Sequence, residues 1–324
     1  MQVLVTGGAG YIGSHVVWAL RDAGHSVVAL DDLSAGSRKV IPDDVVFIEG
    51  DVGNGEAVAT LIERHRIEAV MHFAGSIVVP ESVRNPLEYY RNNTVASRSL
   101  IDNCVHNGVR HFVFSSTAAV YGVPAVVPIT EDMPTAPINP YGASKLMTEW
   151  MLRDTAAAHD LTYVSLRYFN VAGADPQGRA GQSTRVATHL IKIACEAAAG
   201  RRDHVQVFGS DYETLDGTCI RDYIHVSDLA DAHLRALDHL LSGGASLVLN
   251  CGYGRGLSVL EVLAAVERAA GKPLDVRKAP RRPGDPPALV ADAGKLRKAL
   301  AWQPRLDDLD VIVRTALDWE RRGV

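Results

Sequence analysis

Short apolar runs alternate with longer amphipathic stretches along the first half of the chain. The apolar runs are VLVT (3–6), SVVAL (26–30), VVFI (45–48), AVMHF (69–73), HFVFSS (111–116) and YVSLRY (163–168). The stretches between them that predict helices lie near 12–23, 54–65, 84–107 and 141–159. Because the runs are continuously apolar, they are predicted to be strands buried on both faces of a parallel sheet. This order predicts a doubly wound, Rossmann-like α/β fold.

The regular alternation ends near residue 170, where a glycine-rich loop begins. Shorter strands, including 205–209 and 221–226, and a closing amphipathic helix near 309–320 predict a smaller C-terminal α/β domain. We therefore divide the chain into domains at 1–170 and 171–324, with segments near 221–250 expected to return to the first domain.

Composition narrows the possible functions. The 324 residues are 47% hydrophobic and 22% charged, with a net charge of −5, which is typical of a globular protein. No basic block suggests nucleic acid, and no apolar stretch is long enough to span a membrane. Four scattered cysteines predict a cytoplasmic protein with reduced thiols rather than a disulfide framework or a metal site.

The stretch TGGAGYIG follows the first predicted strand and opens the first predicted helix. Its Gly7, Gly10 and Gly13 lack Cβ atoms, so backbone N–H groups can approach a pyrophosphate at the helix N-terminus. Asp31 ends the second strand, where a carboxylate can bond both ribose hydroxyls and repel a 2′-phosphate. This motif predicts a dinucleotide site that prefers NAD to NADP. Asp51, after the third strand, is placed to meet the adenine amino group.

The stretch NPYGASK places Tyr141 and Lys145 four residues apart. In a helix capped by Asn139, with Pro140 at its first position, both lie on one face. A nearby ammonium and a positively charged nicotinamide would favour the phenolate and lower the pKa of Tyr141. The pair then predicts a base that accepts a hydroxyl proton near neutral pH.

These motifs, with SSTAAVYG and RDYIHV, resemble the extended short-chain dehydrogenase/reductase family. The resemblance runs nearly end to end and is strongest to the members that interconvert UDP-glucose and UDP-galactose. It rests on the further stretches HFAG, ESVRNPLEYYRNN, LRYFNVAGADP, GRRDHVQVFGSDYETLDGT and PRRPGD. It implies a permanently bound NAD, a nucleotide-sugar domain, C4 inversion through a transient 4-keto sugar, and a homodimer formed by two helices per subunit.

The resemblance also implies the role of each site residue. The catalytic residues would be Tyr141, Lys145 and Thr117. NAD would be bound by Gly7, Gly10, Tyr11, Ile12, Gly13, Asp31, Asp51, Val52, Phe73, Ala74, Gly75, Asn92, Tyr141, Lys145 and Phe169. The UDP-sugar would be bound by Thr117, Asn170, His189, Leu190, Val207, Phe208, Arg221, Tyr223, Arg282, Asp285 and Leu289. Among these, Leu289 would wall the pocket beside the sugar's 2-position.

Three positions depart from the family's pattern. Thr117 replaces a serine and keeps the hydroxyl, Ile77 replaces a lysine near the nicotinamide ribose, and His189 replaces an asparagine. Three other functions stay open: a 4-epimerase of UDP-N-acetylglucosamine or a UDP-pentose, a nucleotide-sugar dehydratase, and a non-catalytic NAD sensor. Against the dehydratase, Ala118 and Ala119 stand where those relatives carry an Asp-Glu pair.

Overall fold

The computed structural model describes residues 1–183, 188–282 and 285–323. Its strands are β1 (Gln2–Thr6), β2 (Ser26–Asp31), β3 (Val46–Glu49), β4 (Ala69–His72), β5 (His111–Thr117), β6 (Thr162–Tyr168), β7 (Asn170–Ala172), β8 (Val205–Phe208), β9 (Ile220–His225), β10 (Leu247–Cys251), β11 (Gly256–Ser258), β12 (Val276–Ala279) and β13 (Ala288–Leu289).

The helices alternate with these strands. They are α1 (Tyr11–Asp22), α2 (Gly55–His65), α3 (Val79–Arg84), α4 (Pro86–Tyr89), α5 (Ala96–His106), α6 (Pro140–Ala158), α7 (Leu190–Ala198), α8 (Val226–Leu241), α9 (Val259–Ala270), α10 (Gly294–Leu300) and α11 (Leu309–Arg322). Within the described ranges, none of the helices combines the length and hydrophobicity needed to cross a bilayer.

Seven strands form one parallel sheet in the order β3-β2-β1-β4-β5-β6-β10. Alternate residues of β1 belong to two separate hydrophobic clusters: Val3 and Val5 to one, and Leu4 to the other. The strands are therefore buried on both faces, and the predicted doubly wound α/β fold is confirmed. The chain order reverses between β1 and β4, and ligands of such sheets bind outside the carboxyl ends of the strands at this point.

The second half of the chain builds smaller sheets beside that edge. Strand β9 pairs with β7, β11 and β13, and β8 pairs in parallel with β12. The strand β10 instead joins the large sheet next to β6. The chain thus returns to the first sheet after β9, although the division at residue 170 stays a prediction.

The helix predicted near 84–107 is not continuous. It begins earlier, at Val79, and is interrupted at Asn85, which has φ −127° and ψ 61°. Proline restricts the residue before it and cannot continue the helical hydrogen-bond pattern, so Pro86 starts a new helix. A π-helical turn, Tyr90–Val95, then precedes α5.

Candidate active site

A large cleft opens at the carboxyl edge of the seven-stranded sheet and extends to the smaller sheets. Its volume is about 1500 Å³. A pocket for one small ligand typically has roughly 300–1,000 Å³, so the cleft has room for a dinucleotide and a nucleotide sugar together. Every site residue named from the sequence lines this cleft except Val207. Pro283 and Gly284 of the quoted PRRPGD stretch lie outside the described residues.

The glycine-rich loop packs too closely for side chains. Gly7 has φ +69°, and a Cβ atom on Gly13 would lie 2.1 Å from the carbonyl oxygen of Gly7. Helix α1 begins at Tyr11 with Gly10 at its N-cap, and no side chain of the described residues caps this end. Gly10 and the first helical residues line the cleft, where the N–H groups of a helix N-terminus can bind a pyrophosphate.

The carboxylate of Asp31 lies at the end of β2 beside this loop. It accepts hydrogen bonds from the backbone N–H groups of Ala9, at 2.9 Å, and Leu33, at 2.8 Å. Burial raises its pKa, and these hydrogen bonds oppose the rise. A carboxylate accepts about four hydrogen bonds, so capacity remains for ribose hydroxyls. The loop and Asp31 together fit NAD.

Helix α6 carries the predicted catalytic pair. Its first position is Pro140, and the side-chain oxygen of Asn139 accepts a hydrogen bond from Gly142 N at 2.9 Å, as predicted. Tyr141 and Lys145 lie one turn apart, and their side chains line the cleft although the residues are only 8% and 3% exposed. The structure thus places the pair on one helical face that lines the cleft, and its catalytic role stays a prediction.

Burial shifts the pKa values of both members of the pair. The Lys145 ammonium donates to the carbonyl oxygen of Ser115 at 3.1 Å and lies 5.0 Å from the ring centre of Phe114. Burial lowers the pKa of Lys145 to about 8. Burial also raises the pKa of Tyr141, and hydrogen bonding to Thr117 opposes this rise only in part. The lowering of the Tyr141 pKa by an ammonium together with a cationic nicotinamide stays a prediction.

The far end of the cleft carries two arginines. The Arg221 guanidinium donates to the carbonyl oxygen of Pro286 at 3.0 Å and lies 3.5 Å from the Asp285 carboxylate. The Arg282 guanidinium carbon lies 3.8 Å from the ring centre of Phe208. Two guanidinium groups at one end of a cleft suit a diphosphate, which arginine binds through paired hydrogen bonds.

The chain matches the model of the NAD dependent epimerase/dehydratase family over residues 3–252. It belongs to that family. An Azospirillum brasilense protein named UDP-glucose 4-epimerase is 64% identical over 99% of this chain and 92% of its own length. The family resemblance seen in the motifs is thereby confirmed, and NAD is the cofactor that family membership indicates.

Solved structures agree with this assignment. The UDP-glucose 4-epimerase of Brucella ovis, in complex with NAD, has a TM-score of 0.96 and 46% identity, covering 99% of this chain and 98% of that one. The UDP-Glc/GlcNAc 4-epimerase of Campylobacter jejuni has a TM-score of 0.87 and 48% identity, covering 99% of both chains. These epimerases share both the large sheet and the smaller C-terminal sheets with this family member.

The positions that depart from the family's pattern all face the cleft. Thr117 ends β5, and its hydroxyl accepts from Ala119 N at 3.1 Å. Ile77 is 49% exposed on the cleft wall. His189 precedes α7, and burial lowers its pKa. Its Nδ1 lies 3.0 Å from the Gln182 amide nitrogen, so a neutral ring accepts that hydrogen bond.

The structure does not place the Val207 side chain at the site. In β8 the side chains alternate between two directions, and Val207 is 3% exposed within the hydrophobic core, while its neighbour Phe208 lines the cleft. Adjacent strand residues point to opposite faces, so the side chains of Val207 and Phe208 point in different directions. A contact between Val207 and the UDP portion stays a prediction.

Sequence reasoning missed several residues around the catalytic pair. Tyr168 lines the cleft, and its hydroxyl shares a hydrogen bond with the Ser115 hydroxyl. Arg167, the residue before Tyr168, forms a buried ion pair with Glu149 of α6. The four-residue spacing that joins Tyr141 to Lys145 continues to Glu149, and this spacing is the signal that could have found it.

We expect Asp31→Ser to weaken NAD binding and to relieve the penalty on NADP, because the carboxylate bonds the ribose hydroxyls and repels a 2′-phosphate. The dissociation constants for NAD and NADP, measured with each protein, test this. Asp44→Ser is the matched control, since that carboxylate is exposed and pairs with Arg21. An unchanged NAD-to-NADP ratio in Asp31→Ser, or a wild-type preference for NADP, would contradict the assignment.

Proposed function

We propose that this chain is an NAD-dependent isomerase that inverts C4 of a UDP-hexose, interconverting UDP-glucose and UDP-galactose. One observation carries the proposal: Tyr141, Lys145 and Thr117 line the same cleft as the glycine-rich loop and the two arginines. The names of the relatives support the same reaction. In this assignment, residues 1–170 hold the cofactor and 171–324 hold the nucleotide sugar, with β10 returned to the first domain.

The protein groups divide the chemistry between them. Tyr141 accepts the proton of the sugar 4-hydroxyl, and the Thr117 hydroxyl hydrogen-bonds the reacting oxygen. Lys145 holds the cofactor ribose, and its ammonium favours the phenolate form of Tyr141. Bound NAD⁺ supplies the acceptor for the C4 hydride, which later returns to the opposite face of the 4-keto sugar. The reaction is therefore redox-neutral.

Inversion requires the sugar to turn while UDP stays bound. Arg221 and Arg282 are the proposed diphosphate ligands, with Asp285 already beside Arg221 at 3.5 Å. A strong anchor on the diphosphate and weak contacts on the sugar allow rotation about the link between them. The 4-keto sugar then presents its other face to the same site.

Dehydration and NAD sensing fit the site less well. A 4,6-dehydratase needs acid-base groups beside the hydroxyl residue, and the cleft there presents Ala118 and Ala119. A sensor has no need of the buried Tyr141 and Lys145. A 4-epimerase of another UDP-sugar stays the alternative, supported by the dual-substrate name of the Campylobacter jejuni relative.

We also propose that the chain forms a homodimer through the surface around α3, α4 and α6. Large apolar side chains are exposed there, among them Leu87 by 81%, Val95 by 59% and Trp150 by 46%. Clustered exposed apolar side chains are typical of interaction surfaces. The two-helix dimer implied by the family resemblance would cover them.

Tyr141→Phe tests the catalytic assignment. The purified wild-type protein should convert UDP-galactose to UDP-glucose without added NAD, and the variant should lose about 10²–10⁴-fold in kcat because it lacks the proton acceptor. UDP binding should be retained. The control is Tyr163→Phe, because Tyr163 lies near the start of β6, whereas the last residue of that strand, Tyr168, lines the cleft. Near-normal kcat in the Tyr141→Phe variant would mean that another residue is the base.

The sugar range tests the role of Leu289, which is half-buried and packs against the apolar cluster that includes Ala118 and Phe169. Leu289→Ser should raise kcat/KM for UDP-N-acetylgalactosamine relative to UDP-galactose, and Leu289→Tyr should lower it. An apolar wall discriminates between two substrates by roughly 1–3 kcal/mol. The ratio of the two kcat/KM values should therefore change by at most about 10- to 200-fold. Leu289→Met conserves volume and should leave the ratio unchanged. If all three variants share the wild-type ratio, Leu289 is not the wall.

Assembly tests the dimer surface. The wild-type protein should have the mass of a dimer by size-exclusion chromatography with light scattering, and Leu87→Asp should shift it to monomer by placing a charge in the apolar contact. Leu215→Asp is the control, because Leu215 is fully exposed on the loop between β8 and β9 rather than on α3, α4 or α6. A monomeric wild type, or a dimeric Leu87→Asp protein, would exclude this surface.

A further inference from the structure

A buried ion pair joins α6, which carries Tyr141 and Lys145, to β6. Glu149 is one helical turn beyond Lys145 on α6, and Arg167 precedes Tyr168 on β6. Their side chains are 5% and 7% exposed, and the closest contact joins Nη2 to Oε2 at 2.6 Å. The Nε atom of Arg167 donates to the second carboxylate oxygen at 3.0 Å, so the contact is bidentate.

This pair contacts both ends of the segment that carries Thr117. The Ser116 hydroxyl, one residue before Thr117, donates to the Glu149 carboxylate. Four residues after Thr117, the Tyr121 hydroxyl accepts from Arg167 Nη1 at 2.9 Å. The guanidinium carbon also lies 4.9 Å from the Tyr121 ring centre. The short turn between β5 and Tyr121 is therefore fastened to the ion pair at both ends.

The hydrogen-bond network extends beyond Tyr121 to two further residues. The Tyr121 hydroxyl donates to Asn250 Oδ1 at 2.7 Å, and the Asn250 amide donates to the carbonyl oxygen of Ile129 at 2.8 Å. Buried ion pairs add little stability compared with apolar side chains of similar volume, because desolvation offsets the attraction. Stability alone therefore does not account for this arrangement. Its contacts through Ser116 and Tyr121 instead fix the position of the backbone on both sides of Thr117.

We propose that Glu149 and Arg167 are positioning residues that hold the Thr117 hydroxyl against Tyr141. The inference rests on the proposed function, in which Tyr141 and Thr117 meet the reacting oxygen. The pair does not touch the cleft, so it acts through Ser116 and Tyr121 rather than on the substrate. Reactions that depend on aligned groups lose about 100-fold in rate for a displacement of roughly 1 Å.

The test begins with Glu149→Gln and with the apolar pair Glu149→Leu/Arg167→Met. The second variant removes both charges and keeps the buried volume filled, so it remains informative if the first does not fold. We expect each folded variant to lose about 10- to 100-fold in kcat for UDP-galactose, with NAD content and KM little changed. Arg153→Met is the control, because it breaks the exposed Arg153–Asp154 pair on the same helix.

A double-mutant cycle with Thr117→Ala separates positioning from a general structural role. If the pair acts through Thr117, its variants cause little further loss of kcat once that hydroxyl is gone. Tyr121→Phe, which removes one hydroxyl and keeps the ring, should behave in the same way. Additive losses, or full kcat in the apolar pair, would overturn the proposal. An inactive wild type would instead refute the proposed function.

Discussion

The packing of α6 against the ends of β5 and β6 is the interaction on which the active site depends. This helix carries Tyr141 and Lys145, and the Lys145 ammonium is bonded to the carbonyl oxygen of Ser115 on β5. The carboxyl ends of parallel strands meet at one edge of the sheet, so the same edge also receives the glycine-rich loop after β1. A shift of α6 would therefore separate the proposed base from both the cofactor loop and Thr117.

Burial has opposite effects on the two catalytic groups. It lowers the pKa of Lys145 to about 8 and raises the pKa of Tyr141. Both shifts disfavour the charged forms that the mechanism uses. Each charged form is favoured by the opposite charge of the other, so a phenolate on Tyr141 and an ammonium on Lys145 support one another. A cationic nicotinamide would favour the phenolate further. In the proposed mechanism, Tyr141 would therefore become a base when the cofactor binds.

The sequence predicted the parallel sheet, the glycine-rich loop before α1 and the one-turn spacing of Tyr141 and Lys145, because each depends on local spacing. The glycines, Asp31 and the Tyr141–Lys145 repeat all lie at ends of elements that hydrophobic periodicity identifies. The sequence did not predict features that depend on side-chain direction or on contacts between residues distant in the chain. Val207 points into the core because β8 alternates its faces. In the sequence, Arg167 lies within a stretch that predicts a buried strand, and nothing there indicates a partner. Its contact with Glu149, 18 residues earlier, is visible only in the structure.

The central claim is that a hydride leaves and returns to C4 of one sugar within one protein. The direct measurement uses UDP-galactose carrying deuterium at C4, purified protein and no added NAD, with the product analysed by NMR and mass spectrometry. The account predicts UDP-glucose that retains the deuterium at C4 with inverted configuration. Absence of UDP-glucose, or UDP-glucose with solvent hydrogen at C4, would contradict it.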